Sequence, residues 1–124
     1  MSLESALYRK DQSGYKKVGN WRKARAIHNW FVVNVQGGVD NCQLFDVKRS
    51  QLKDLLNTCR KVLELGRETA EDGFTYENSE ICEQLLPNPD MDYGDKYMES
   101  VEVTVKILED ALSNRGRYCY DSSW

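Results

Sequence analysis

The sequence predicts a small α+β domain, and three observations carry that reading. Apolar residues recur at helical spacing in three separate stretches. Tyr and Val flank a Ser-Gly turn near the start, and Gly, Pro and Asn punctuate the chain between the periodic segments. A chain of 124 residues is one domain on length, and at that size folding hides roughly two-thirds of the unfolded surface. A conventional core is therefore feasible without metal or disulfide staples. Residues 1–124 are read as a single compact domain with three main helices, a small N-terminal hairpin and a few short strands.

The elements follow in order. Leu7–Lys10 and Tyr15–Gly19 flank Asp11-Gln12-Ser13-Gly14 and predict the hairpin. Asn20 then offers an N-cap, and Ala24, Ile27, Phe31 and Val35 form a helical stripe that Gly37-Gly38 should close in a left-handed turn. Trp21, Arg25, His28 and Val32 run along a neighbouring line, which places His28 beside the stripe. A connection follows, with a short strand expected over Gln43–Val47. The second helix spans Lys48–Leu65 on the stripe Leu52, Leu55, Leu56, Cys59, Val62 and Leu63, with Gly66 expected to stop it.

Residues 66–78 read as a polar loop or a weak hairpin around Phe74 and Tyr76, and Ser79–Leu85 as a short helix before the break Pro87-Asn88-Pro89-Asp90. Val101–Ile107 alternates like a strand. The longer window Tyr97, Val101, Val105, Leu108, Ala111 and Leu112 has helical spacing, and so long a stretch without a breaker favours helix. The tail Arg117–Trp124 fits either a strand or a loose end.

Composition narrows the function classes. With 40% apolar and 30% charged residues the chain is globular and not disordered. The net charge of −3 is too weak for a non-specific nucleic-acid binder or a DNA mimic, so nucleic acid is not an expected partner. The charge is uneven: Arg9, Lys10, Lys16, Lys17, Arg22, Lys23 and Arg25 make the first segment basic, and the acids concentrate between residues 64 and 110. The bland consequence is that the two halves attract each other. No run is apolar enough to cross a membrane and the start lacks an export signal, so a cytoplasmic setting is expected. Cys42, Cys59, Cys82 and Cys119 contain no close pair, so neither a metal site nor a cofactor is expected.

Chemistry concentrates in Asn20–Phe31, which holds Trp21, Arg22, Lys23, Arg25, His28 and Trp30. Aromatic faces, guanidinium groups and an imidazole are the side chains that recognise anions, bases and partner surfaces. Arg22 and Lys23, read as the first turn of a helix, oppose its dipole unless an anion or a carboxylate sits nearby. Two readings stand side by side. In one, Arg22 and Lys23 hold a phosphorylated or nucleotide-like ligand, Trp21 or Trp30 stacks on it, and His28 hydrogen-bonds. In the other, the cations pair with the acidic half and Trp30 and His28 belong to the core. A general base at His28 would need an orienting carboxylate such as Asp40 or Asp46, or a nucleophile such as Cys42, and no spacing forces these together. The acids Asp90, Asp92, Asp95 and Glu99 lack a calcium-loop register, and Asp95 fits the start of the last helix.

At Gly19–Ala24 and Ala26–Phe31, followed by Asn34-Val35-Gln36 and Asp40-Asn41-Cys42, the chain resembles a family of small proteins encoded by bacteriophages and prophages. These carry a W-R-K-A-x-x-I-H-x-W-F pattern, an acidic Leu-rich helix, a Leu-Leu-Pro break (here Leu85-Leu86-Pro87) and a final T-x-x-x-L helix (here Thr104 to Leu108). Members often continue past the break with an aromatic, Gly-rich stretch, replaced here by Asn88–Gly94. The resemblance carries no assigned activity. It implies a helical last element and an intracellular, phage-related setting. The expected function is a phage or mobile-element accessory protein that acts by binding, inhibiting a host defence factor, with Trp21, Arg22, Lys23, Arg25, His28 and Trp30 as its face. A binder of a phosphorylated small ligand is the first alternative, and a small hydrolase using His28 is the third.

Overall fold

The computed structural model describes residues 3–38, 44–69, 76–114 and 116–123. Strands β1 (Glu4–Asp11) and β2 (Gly14–Arg22) form the predicted hairpin, longer than expected at both ends. The Asp11 carboxylate accepts the Ser13 N–H at 2.8 Å and its hydroxyl at 2.6 Å, closing the turn as an Asx motif. Leu7 pairs with Gly19 but Tyr8 with Lys17, so Val18 is the extra residue of a bulge.

The hairpin corrects the first helical expectation. Asn20, Trp21 and Arg22 belong to β2, opposite Ala6, Ser5 and Glu4, and helix α1 starts only at Arg25 (Arg25–Asn34). Local capping preference at Asn20 loses to strand pairing and to one long-range anchor. The buried Trp21 indole donates its Nε1–H to the Thr104 hydroxyl at 2.8 Å. Arg22 and Lys23 therefore do not lie in a helical first turn. At the other end of α1 the expectation holds: Gly37 and Gly38 take φ of 65° and 85°, the left-handed conformation that glycine adopts without a steric cost.

After α1 come β3 (Phe45–Val47), α2 (Arg49–Thr69), α3 (Tyr76–Leu85), α4 (Asp95–Leu112) and β4 (Arg117–Ser123). Helix α2 buries Leu52, Leu55, Leu56, Cys59 and Val62, as its stripe predicts, but runs through Gly66. One glycine inside a helix costs only about 1 kcal/mol, too little to end a long packed element. Helix α3 begins at Tyr76, three residues before the expected start. The loop-or-hairpin expectation over 66–78 is corrected at both ends, where 66–69 close α2 and 76–78 open α3. Its centre at Phe74, like Cys42, Asp40 and Trp124, falls outside the described residues.

Helix α4 settles the strand-or-helix conflict. Val101 and Leu108 are fully buried with Thr104 and Ala111, whereas Val103 is 40% exposed. That is a 3.6-residue period and not alternation. Asp95 sits in its first turn as expected, and the Arg49 guanidinium hydrogen-bonds the carbonyls of Leu112 and Asn114 at its far end. A cation there offsets the helix dipole.

The tail is strand β4, and it lies inside the sheet. The strand order is β2-β1-β4-β3, antiparallel throughout. Tyr118, Tyr120 and Ser122 face the helices together with Leu7, Trp21 and Val47. By the same register Arg117, Cys119 and Asp121 face the other way, in line with Glu4, Ala6, Tyr8 and Lys10. The core thus lies between one sheet face and one helical layer. Among the described residues no helix is long and apolar enough to cross a membrane.

Candidate functional site

The six residues singled out from sequence do not form one face. Trp21 is buried, and its ring lies 6.0 Å from Phe31 and 6.2 Å from Tyr120. It is a core residue and not a stacking platform for a ligand. Trp30 is half-buried, edge-on to Phe31 at 5.3 Å. His28 is buried, 2.7 Å from the Tyr120 hydroxyl through Nδ1. These three belong to the aromatic interior that joins α1 to β4.

Arg22, Lys23 and Arg25 do reach the surface, at the corner where β2 turns into α1. Lys23 takes φ 58°, a left-handed conformation that costs a side-chain-bearing residue about 1–2 kcal/mol. Its N–H donates to the Leu3 carbonyl at 2.8 Å and its own carbonyl accepts the Arg25 N–H at 3.1 Å, which hold the turn. Arg22 meets Glu4 only at 3.8 Å and both side chains stay mostly exposed. Arg25 pairs with Asp90 at 3.1 Å. So one of the three cations meets the acidic half, another meets the N-terminal Glu4, and pairs this exposed contribute less than about 1 kcal/mol each.

Two grooves meet at Lys23 and Ala24. One, about 300 Å³, runs between β2 and α4 along Arg22, Lys23, Lys96, Glu99, Ser100 and Val103. The second, about 230 Å³, continues past Arg25 to Asp90, Asp92 and Tyr97. Lys23 and Lys96 border both. Sequence reasoning missed Lys96 and Ser100. Their only signal was their position in the first turns of α4, and nothing local places α4 beside β2. The N-terminus of α1 opens at this corner with no side-chain cap and no acid in its first turn.

Of the partners considered for His28 from sequence, Asp40 and Cys42 lie outside the described residues, and the structure does not bring Asp46 to the imidazole. Asp46 pairs with Cys119 in the sheet, and so points away from the face where Tyr120 meets His28. The Cys119 thiol lies 3.4 Å from the Asp46 carboxylate. The acids after Pro89 serve the loop: Asp92 accepts the Gly94 N–H at 2.9 Å, and Asn88 accepts that of Asp90. Among the described residues no three metal-ligating side chains converge.

Burial pushes the Cys59 thiol up from 9.0 to about 12, and raises Cys82 and Tyr97 as well. A pKa raised by folding favours the native state fully below the unfolded value, and that contribution fades as pH climbs through the folded value. Stability should therefore decline above pH 9.0. Urea unfolding midpoints at pH 8 and 10.5 test this, and equal midpoints would contradict it.

Comparison with family models, with curated proteins and with solved structures gives no match to this chain.

Proposed function

We propose that this chain is a phage or mobile-element accessory protein that acts by binding, inhibiting a host protein through the corner built by Arg22, Lys23, Arg25 and Lys96. The phage setting rests on the resemblance of the Trp21–Phe31 segment. The single observation supporting the corner is the convergence of Lys23 and Lys96 on two adjoining grooves, with no ion pair between either lysine and a described residue. Cations grouped at an uncapped helix start suit a partner that brings carboxylates, because the dipole adds to Arg22, Lys23 and Lys96. Glu99, Asp90 and Asp92 on the same grooves leave room for cations of the partner. Exposed Val103 supplies an apolar neighbour. Interfaces of this type need only ~800 Å² per partner.

The test is capture of host proteins from lysate with tagged wild type and with Arg22→Glu/Lys96→Glu. Both positions are exposed, so the variant keeps its core. A protein retained by wild type and lost at least tenfold in the variant supports the reading. A captured protein indifferent to the reversal removes the corner as the binding face.

The larger groove also sits at the lower edge of small-ligand pockets, which run from roughly 300 Å³. A phosphorylated or nucleotide-like ligand held there by Lys23 and Lys96 would raise the melting temperature with concentration. No shift across a nucleotide panel at millimolar levels would exclude it. His28 is spared in both designs, because it is a core residue.

A further inference from the structure

A second surface, the sheet face turned from the helices, meets that corner only at its Arg22 end. Across the sheet face turned from the helices, register sets side chains in rows. Tyr15, Lys10 and Arg117 form one row, and Lys17, Tyr8, Cys119 and Asp46 form the next. Beyond them lie Asn20, Ala6 and Asp121, then Arg22 and Glu4. A trough of about 330 Å³ lies at the Glu4 and Asp121 end of this face, floored by the small Ala6, and reaches the tyrosine rows only at Tyr8 and Lys17. Tyr15 is 55% exposed and Tyr8 is half-buried. Each ring has a lysine ammonium beside it: Lys10 at 5.5 Å from the Tyr15 centroid and Lys17 at 5.9 Å from that of Tyr8.

We propose that this face binds single-stranded nucleic acid, with bases stacked on Tyr8 and Tyr15 and phosphates led along Lys10, Lys17 and Arg117. An open antiparallel sheet that presents aromatic rings among cations is a platform on which unpaired bases stack, since every base has a π face. The overall charge of −3 does not oppose this, because it sums over all surfaces while the two tyrosine rows carry the cations. Their one carboxylate, Asp46, sits at the far edge beside Cys119. Asp121 and Glu4 lie at the opposite end, which directs the phosphates toward the tyrosine rows. The lysines yield to a base, since an exposed cation–π contact is weaker than a stacked base. A duplex has no free base face and would gain only the charge.

Fluorescence anisotropy with labelled twelve-nucleotide oligo(dT) and oligo(U), against a duplex of equal length at low salt, tests the proposal. Wild type should bind the single strands and favour them over the duplex. Tyr8→Leu and Tyr15→Leu should each weaken binding about 5- to 100-fold. Tyr8→Phe and Tyr15→Phe, which keep the ring, should stay close to wild type and show that Leu at these sites acts through stacking. Lys10→Ala and Arg117→Ala should each lower the salt slope by about one. Lys23→Ala and Lys96→Ala should leave oligonucleotide affinity unchanged, which separates this face from the corner groove. No anisotropy change up to about 100 µM folded protein would overturn the proposal. So would binding to single strands and duplex alike that ignores both Leu variants. Capture of a protein that depends on Tyr15, with no oligonucleotide binding, would reassign the face to a protein partner.

Discussion

Phe31→Ala should lower the free energy of unfolding by about 3–5 kcal/mol, a large part of the 5–15 kcal/mol typical of a domain. Phe31 has no exposed surface. Its ring stacks on Tyr120 at 3.9 Å with a 10° tilt, while Trp30 meets it edge-on and Trp21 lies tilted beyond. Truncation removes the transfer energy of the ring and opens a cavity among aromatic neighbours that cannot collapse into it. Tyr120 belongs to β4, between β1 and β3, so the cavity also weakens the contact that seats α1 on the sheet. Equilibrium urea denaturation measures the loss. Phe31→Leu, which refills most of the volume, should cost clearly less. A loss under about 1 kcal/mol for alanine would mean that this aromatic cluster is not the centre of the core.

Gly19→Val should destabilise by about 1–3 kcal/mol even though local preference points the other way. Glycine is a poor strand residue and valine a good one, a difference of up to ~1 kcal/mol in favour of the substitution. Packing decides the sign. A Cβ at position 19 would stand 2.3 Å from Ile107 Cγ2 and 2.9 Å from its Cγ1, atoms of a β-branched side chain with little freedom to turn. Either Ile107 leaves its rotamer or α4 lifts from β2. Ile107→Ala in the same chain should recover part of the loss, and a double-mutant cycle on unfolding free energies reads that coupling. Additive effects of the two substitutions would show that α4 does not rest on Gly19.

The same contact separates what was legible from what was not. The stripe in α2 could be read directly, because its period is local and its apolar width matches one buried face. The hairpin was legible from Tyr, Val and the Ser-Gly turn. In α4 the longer window outweighed the Val101–Ile107 alternation, and exposure of Val103 confirms that helical face. The start of α1 was misread because Asn20 is a good N-cap by itself; only pairing with Ala6 and the Trp21–Thr104 bond, 83 residues apart, make it strand. Trp21, His28 and Trp30 looked like a recognition set for the same reason. Their residue types suit ligands, but burial assigns Trp21 and His28 to the core and packs Trp30 half-buried against it, and residue type alone does not report burial. Lys96 joined the corner through the approach of α4 to β2, a contact with no local signature.

The sequence by itself determined the class of fold, the helical faces, the hairpin and the glycine closure of α1, all set by interactions within a few residues. Tertiary structure alone decided that the tail becomes an inner strand, that two of the six recognition residues are interior and a third half-buried, and that cations distant in sequence share one corner. Those outcomes depend on which surfaces meet across long separations, and there the gain from burying Trp21, Phe31 and Tyr120 together exceeds any preference that a local segment expresses.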